Sequence, residues 1–540
     1  MPPPDPSARE LRHARCTQHL IVKVLLIVID GAAPRVVGPA VQTGRLPNLK
    51  RVAEAGTMHA GSVTIFPSIT PAATTSIVTG AYPAEHGIGG ASWYDEGRGE
   101  VAYYGDDFWV IARQGFGAFL RDFLLHLNGD RLKSPTLFQL VESAGPTAAC
   151  INYLVYRGDV PHKVNVPWLM ALLPGVPLTE TVHGPSLLCL GDFVTPHTKR
   201  GRKVEDRGGL MHRFGMDDAS TAAMLCELAA EGELPPFTLA YFADNDYRSH
   251  EVGPHAALPV IDRVDQALGE MFDAAGGFER FIRDTHVIVT SDHGHCELLA
   301  DRDAAVIPLD RILGDFRQAE LGKAWDPRDE IMICPNMRAA QIHLREASAV
   351  LLDRVTRAAL ADPRVDLILW KPGLTVGRGD VYAVNSQHGR LEFWRGDEEA
   401  SHARDAFGTA WSWRGDAAAL RLEIGDGFVD SPEYPNALER IAGALDAANG
   451  GAVWLSARPG CEFEVPGGKA HVGGASHGAL HALDSLSIAV MGGGNAPAPP
   501  RVLRSVDIAP RCMSLLGLPM RYAVGDARHV AHTPEPVRSR

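Results

Sequence analysis

Cysteine is scarce in this chain: eight in 540 residues, at positions 16, 150, 189, 226, 296, 334, 461 and 512, with no C-x-x-C pair. That excludes a disulfide scaffold and a cysteine-rich zinc module, and it suits free thiols in a reducing cytoplasm. Long apolar runs are missing too. None approaches the roughly 18 residues of a membrane-spanning helix. The strongest, Val24 to Ile29, is bounded by Lys23 and Asp30 and reads as a buried strand. The start, Met1-Pro2-Pro3-Pro4-Asp5, lacks the basic and apolar regions of a secretory signal. Basic charge is in deficit: 52 Lys and Arg against 65 Asp and Glu give a net charge of −13. A nucleic-acid coat needs a basic face, so that class is disfavoured. A small phosphate ester is not, because a metal ion or a few local cations can reverse the field within one pocket.

Hydrophobic residues make up 45% and charged residues 22%, which permits a large core. Strand-like and helix-like segments alternate. Val22 to Ile29, Met58 to Ile65, Thr147 to Tyr153, Phe237 to Phe242 and His286 to Thr290 read as strands. Leu46 to Gly56, Thr70 to Gly80, Asp217 to Glu231 and Leu258 to Phe272 read as helices. This rhythm predicts an α/β fold, a sandwich with a mostly parallel central sheet and helices on both faces. Residues 1–20 read as a flexible N-terminal arm and 21–304 as the first part of the catalytic core. Residues 305–465 change character. Short strand-like pieces (Gln341 to Leu344, Asp366 to Trp370, Asp380 to Asn385, Leu391 to Trp394, Leu420 to Ile424) predict an α+β insertion or cap. Residues 466–540 return to the core. Lys199-Arg200-Gly201-Arg202-Lys203 reads as a solvated basic loop.

Acidic and His residues gather just past strand ends, where open α/β sheets place their sites. Five segments supply a ligand set: Asp30, Thr70, Asp246-x-x-x-His250, Asp292-His293-Gly294 and Ser476-His477-Gly478. Carboxylate oxygen and imidazole nitrogen are donors for Zn²⁺, and such mixed sets also accept Mn²⁺. Three Asp and three His fill two neighbouring sites and leave open positions. Two such ions can clamp the entering and leaving oxygens of a displacement at phosphorus. Thr70 falls at a helix start, where an alkoxide and a phosphoryl group are both favoured. Thr70 could instead be an ordinary N-cap, with Ser68, Thr64 and Thr74 as lesser hydroxyl candidates.

The stretch Phe66-Pro67-Ser68-Ile69-Thr70-Pro71, followed by Ser76-Ile77-Val78-Thr79-Gly80-Ala81-Tyr82-Pro83-Ala84-Glu85-His86-Gly87-Ile88, resembles the nucleotide pyrophosphatase/phosphodiesterase family (type I phosphodiesterase) of the alkaline phosphatase superfamily. Val28-Ile29-Asp30-Gly31, Asp246 to Pro254, Thr290 to Gly294, Ser476-His477-Gly478 and Val506 to Pro510 follow in the family order. The resemblance spans about 24–300 and 470–520. It implies that Thr70 is the catalytic nucleophile, that Asp30, Thr70, Asp292 and His293 hold one zinc, and that Asp246, His250 and His477 hold the other. It implies a binuclear hydrolase cleaving phosphodiester or pyrophosphate bonds of a small phosphorylated substrate through a phospho-threonine. A phosphomonoesterase or a phosphonoacetate-like hydrolase on the same metals is the alternative. A catalytically silent binding protein is the alternative of another class.

One position departs from the family. An Asn that holds a phosphoryl oxygen is replaced by Ala91, leaving Ser92, backbone N–H groups of the Gly-rich turn, or a residue from elsewhere as substitutes. His295 is expected to support the ligands rather than join them. His388 and His481 are lesser imidazole candidates, and His86 reads as turn packing. Trp93, Tyr94, Tyr103 and Tyr104 read as packing more than as a base or aryl pocket. Cys334-Pro335-Asn336-Met337-Arg338 does not fit the sulfatase motif, having Pro one place early.

Overall fold

The computed structural model describes residues 22–105, 121–166, 179–196, 213, 215–373, 375–376, 379–397, 401–494 and 502–520. The expected N-terminal arm (1–20) and the basic loop at 199–203 lie outside the described residues.

Eight strands form the central sheet: β1 (Lys23–Ile29), β2 (Gly56–Val63), β3 (Ala148–Ile151), β4 (Leu187–Cys189), β5 (Phe237–Phe242), β6 (Thr285–Thr290), β7 (Leu486–Gly492) and β8 (Leu503–Arg504). Their spatial order is β8-β2-β7-β6-β1-β5-β3-β4. All pairings are parallel except those of β7, which runs against both β6 and β2. The fold is therefore the mixed α/β type with a mostly parallel sheet that the alternating pattern predicts.

β1 is apolar throughout because both its faces are covered. Val24, Leu26 and Val28 pack into one core, and Leu25, Ile27 and Ile29 into another. The helices that cover the sheet and carry the site are α1 (Pro34–Gln42), α2 (Pro47–Glu54), α3 (Thr70–Thr79), α4 (Leu137–Ser143), α5 (Asp218–Ala230), α6 (Asp244–Val252), α7 (Pro254–Ala274) and α8 (Ile508–Leu515). The first core takes Ile77 and Val78 of α3 and Ile508 and Cys512 of α8. The second takes Val37 and Val41 of α1, Leu49 and Val52 of α2, Leu225 and Leu228 of α5, and Ile261, Val264 and Leu268 of α7.

A second sheet of ten strands is built from residues between Ile331 and Ala457, in mostly antiparallel pairings. Ala349–Leu360 and Ala437–Leu445 are its main helices. Leu420 to Ile424 does not form the single strand expected of it. Ala417–Leu420 is a 3-10 turn, Arg421 adopts a left-handed conformation (φ 50°), and only Glu423–Gly425 is a strand. The backbone turns at Arg421 before its apolar residues can alternate across a sheet.

The second sheet grips the first at the loops that follow. Arg338 is fully buried and donates to Asp484 Oδ1 at 2.8 Å and to the Cys461 carbonyl at 2.9 Å. Arg440, also fully buried, donates to the Leu480 carbonyl at 3.0 Å and to Ser485 Oγ at 2.5 Å. Gly478 is required where the two sheets meet: its φ is +117°, and a Cβ there would lie 2.5 Å from the Asn336 carbonyl oxygen.

Candidate metal and nucleophile site

Three adjacent strands deliver the acidic residues. β1 ends at Asp30, its neighbour β5 leads into α6 with Asp246 and His250, and its other neighbour β6 leads into Ser291-Asp292-His293. Asp246 and His250 stand four apart on α6, so one helical turn puts them on one face. Because β7 runs antiparallel, the segment before it, Ser476-His477-Gly478, lies at the same edge of the sheet.

Two sets result. Asp30, Asp292 and His293 form one, with ligand atoms within 4.8 Å of one another. Asp246, His250, His295 and His477 form the other, to the same measure. The His293 and His477 rings stack at 3.6 Å, so the sets are neighbours. Thr70 is the first residue of α3 and Ile69 occupies the N-cap, so Thr70 is not the capping residue. Its Oγ1 lies 3.1 Å from His293 Nε2.

The imidazoles share one posture. The Nδ1 atoms of His250, His293, His295 and His477 face the carbonyl oxygens of Ala475 (2.8 Å), Gly294 (3.0 Å), Gly31 (3.0 Å) and Ser68 (2.8 Å). A carbonyl only accepts, so each Nδ1 carries the proton and each Nε2 is left facing inward. Those Nε2 atoms meet carboxylate oxygens: His293 is 3.4 Å from Asp30 Oδ1 and 3.5 Å from Asp292 Oδ2. His250, His295 and His477 are 3.3, 2.9 and 3.5 Å from Asp246 Oδ1.

The carboxylates are divided in the same way. The Tyr241 hydroxyl donates to Asp30 Oδ2, and the amides of Gly31 and His293 donate to Asp292 Oδ1 at 3.3 and 3.0 Å. Among the described residues, Asp30 Oδ1, Asp292 Oδ2, His250 Nε2 and His477 Nε2 are buried with no hydrogen-bond partner. Buried polar atoms without partners destabilise a fold by about 1–3 kcal/mol each. Four of them converging, with lone pairs opposed, fit divalent cations held by oxygen and nitrogen.

The charges respond accordingly. Burial, with Asp292 and Asp246 close by, raises the Asp30 carboxyl well above the usual range. Burial also disfavours charge on Asp246, but His250, His295 and His477 outweigh it and hold that carboxyl well below the usual range. Burial works against charge on His250, yet Asp246 prevails and lifts its pKa to about 9. Burial, then the His293 ring, pushes His477 well down.

The lesser candidates lie elsewhere. The Ser68 hydroxyl donates to the Ala479 carbonyl at 2.9 Å and that of Thr74 to the Thr70 carbonyl at 2.5 Å. Thr64 Oγ1 is buried and has no hydrogen-bond partner among the described residues. His388 is exposed, 2.7 Å from Arg421. His481 caps a short helix, and His86 pairs with Ser76 Oγ at 3.0 Å. Asp244, two residues before Asp246, pairs with Arg213. Trp93 is fully buried and stacks on Tyr104 at 5.5 Å.

His295, expected to support the ligands, has its Nε2 2.9 Å from Asp246 Oδ1, and its ring lies beside the other members of the second set. The signals available were the second His of Asp292-His293-Gly294-His295 and the glycine at 31. Tyr241 carries no signal in the sequence, since it sits in an apolar strand. Around Ala91 two of the backbone candidates are committed: the Ala91 and Ser92 amides donate to Asn336 Oδ1 at 2.7 and 3.2 Å. Asn336 in turn donates to the Ser92 and Cys334 carbonyls at 2.9 and 3.1 Å.

Fold and site together define a hydrolase of the alkaline phosphatase superfamily. The chain belongs to the type I phosphodiesterase/nucleotide pyrophosphatase family, whose model matches residues 24–393. The match continues beyond residue 305, further than the motifs alone reach. It stops short of His477, whose position comes from the geometry above. The fold is similar to that of murine ectonucleotide pyrophosphatase/phosphodiesterase 5, at 15% identity, with TM-score 0.54 and coverage of 92% of this chain and 95% of that one. It is similar as well to the phosphonoacetate hydrolase of Sinorhizobium meliloti 1021 in complex with phosphonoformate, at 18% identity, TM-score 0.51 and coverage of 92% and 96%. An inactive threonine-to-alanine variant of the murine protein in complex with AMP matches at 15% identity, TM-score 0.53 and the same two coverages. The enzyme is thus a phosphodiesterase/pyrophosphatase or a phosphonate hydrolase.

Proposed function

We propose that this enzyme hydrolyses a phosphodiester or pyrophosphate bond through a covalent intermediate on Thr70. The observation that carries the reading is Thr70 Oγ1, 3.1 Å from His293 Nε2, at the positive end of a ten-residue helix. In the first step Oγ1 attacks phosphorus, and the bond to the leaving alcohol or phosphate breaks with its electron pair on the departing oxygen. In the second step water displaces Thr70 and restores the hydroxyl. The N-terminus of α3 favours the phosphoryl charge in both. Asp30, Asp292 and His293, with Thr70, would hold one divalent ion, and Asp246, His250 and His477 a second. Zinc suits these donors and manganese is the alternative. Such ions would supply positive charge that lowers the pKa of the attacking hydroxyl and offsets charge on the phosphoryl oxygens.

A second reading, hydrolysis of a phosphonate, is favoured by Ala91. Two of the amides that could replace the missing Asn, those of Ala91 and Ser92, are held by Asn336. One donor to a phosphoryl oxygen is worth about 2.7–4 kcal/mol. A substrate that needs that donor less, or carries its own polar anchor, would suffer least.

The division into a core (21–304 and 466–540) and an insertion (305–465) is part of the same proposal. A hydrophobic cluster formed wholly by residues of the insertion, from Ile307 to Val465, supports it. So is a reducing cytoplasmic location, supported by free thiols at Cys150, Cys296, Cys334, Cys461 and Cys512.

The test is hydrolysis by metal-loaded protein, wild type against Thr70→Ala, on bis-p-nitrophenyl phosphate, p-nitrophenyl phosphate, p-nitrophenyl thymidine monophosphate and phosphonoacetate. Diesterase activity that vanishes in Thr70→Ala is expected. Predominant phosphate release from phosphonoacetate would move the assignment to the phosphonate reading, and monoester activity alone would make it a phosphatase.

A further inference from the structure

His295 is buried in the second ligand set, yet the family resemblance gives it no part there. Its ring is fixed on both sides. Nδ1 faces the Gly31 carbonyl at 3.0 Å, and Nε2 lies 2.9 Å from Asp246 Oδ1. The ring rests on Gly31, whose φ is +65° and where a Cβ would fall 2.0 Å from His295 Cε1. The backbone after β1 thus makes room for this imidazole.

Asp246 Oδ1 then faces three Nε2 atoms, those of His295, His250 and His477. One carboxylate oxygen has two lone pairs and cannot accept three N–H groups well. Each of the three rings already gives its Nδ1 proton to a carbonyl. Protonating every Nε2 as well would set three imidazolium charges with ring centres 5.2 to 5.4 Å apart against a single carboxylate. Three lone pairs and one carboxylate oxygen turned on a shared point are instead the donor set of a tetrahedral cation.

We infer that His295 is a fourth protein ligand of the second divalent ion, alongside Asp246, His250 and His477. This rests on the two-ion reading above. The Asp246 set then has four protein donors, the same number that Asp30, Asp292, His293 and Thr70 give the other ion.

The experiment loads the full-length protein, with histidine labelled in nitrogen-15, with cadmium-113 and counts the imidazole nitrogens split by coupling to the metal. A bond to the metal gives this splitting, and a hydrogen bond to a ligand does not. Four split nitrogens in the wild type, three in His295→Gln, and a shift of only one of the two cadmium resonances are expected. Three split nitrogens in the wild type would overturn the inference while leaving the two-ion reading intact. That count needs no variant, so a misfolded His295→Gln does not rescue the idea. Failure to bind cadmium at all would overturn both.

Discussion

Thr70, Tyr241 and His250 carry the sharpest expectations at the scale of single residues. Thr70→Ala removes the attacking oxygen and leaves the two ligand sets otherwise in place. Turnover should fall by roughly 10³-fold or more while metal content stays near that of the wild type, checked by assay and elemental analysis. Tyr241→Phe removes the donor that fixes Asp30 Oδ2 and frees the carboxylate to rotate. Groups that orient a metal ligand are worth about 10–100-fold in affinity, so chelator competition should show a loss of that size, from one ion of the two. The pH dependence follows from His250. Its pKa in metal-free protein is raised to about 9. Between its usual value of about 6.5 and that figure, the folded chain binds a proton that coordination by Nε2 must displace. Metal affinity should therefore rise with pH and level off above about 9. Calorimetry at about pH 7.5 should give a heat that depends on the buffer's ionisation enthalpy. In metal-free protein the His250–Asp246 pair has the opposite sense: its stabilisation is fully present below about 6.5 and is lost as pH rises through about 9.

The motif residues were legible because their signals are local. A strand end followed by Asp-Gly, an Asp and His four apart, and a Thr-Pro at a helix start each declare themselves within a few positions. Tyr241 was hidden because its role depends on register. β1 and β5 pair Val28 with Tyr241, which carries the hydroxyl across to Asp30. His295 was hidden because its contact with Gly31 spans 264 positions.

At the scale of elements, the site is a set of strand ends and loops fixed by glycines and buried arginines. Gly31→Ala would force a Cβ into the His295 ring at a left-handed backbone position. The variant should lose stability by about 1–3 kcal/mol, seen as a lower urea midpoint, and should hold the second ion less tightly. The central strands were readable from apolar runs bounded by turn residues. The reversed direction of β7 was not, since periodicity carries no sense of direction. That reversal brings His477 to the edge where β1, β5 and β6 end. In the second sheet, the left-handed Arg421 broke a segment whose composition suggested an unbroken strand.

At the scale of the whole molecule, the ten-stranded sheet braces the catalytic edge. His477 gives its Nδ1 proton to the Ser68 carbonyl of the core, while its own carbonyl accepts from the Arg338 amide of the second sheet at 2.9 Å. The Arg338–Asp484 pair joins the same parts and is fully buried. Breaking such a pair by removing one partner destabilises by about 3–5 kcal/mol. Arg338→Met should accordingly lower the midpoint of thermal unfolding. It should also reduce retention of the ion that His477 faces, as read by chelator competition. None of this coupling is visible in the sequence, because Arg338 and Asp484 stand 146 positions apart without a motif.

The central claim is that Thr70 carries the phosphoryl group between two half-reactions. It is tested most directly by acid-quenching the metal-loaded enzyme during turnover of bis-p-nitrophenyl phosphate and sequencing the peptide around residue 70 by mass spectrometry. One added substituted phosphoryl group on Thr70, absent without substrate, is the result this account predicts. Full turnover with Thr70 unmodified at every quench time, and retained in Thr70→Ala, would contradict it.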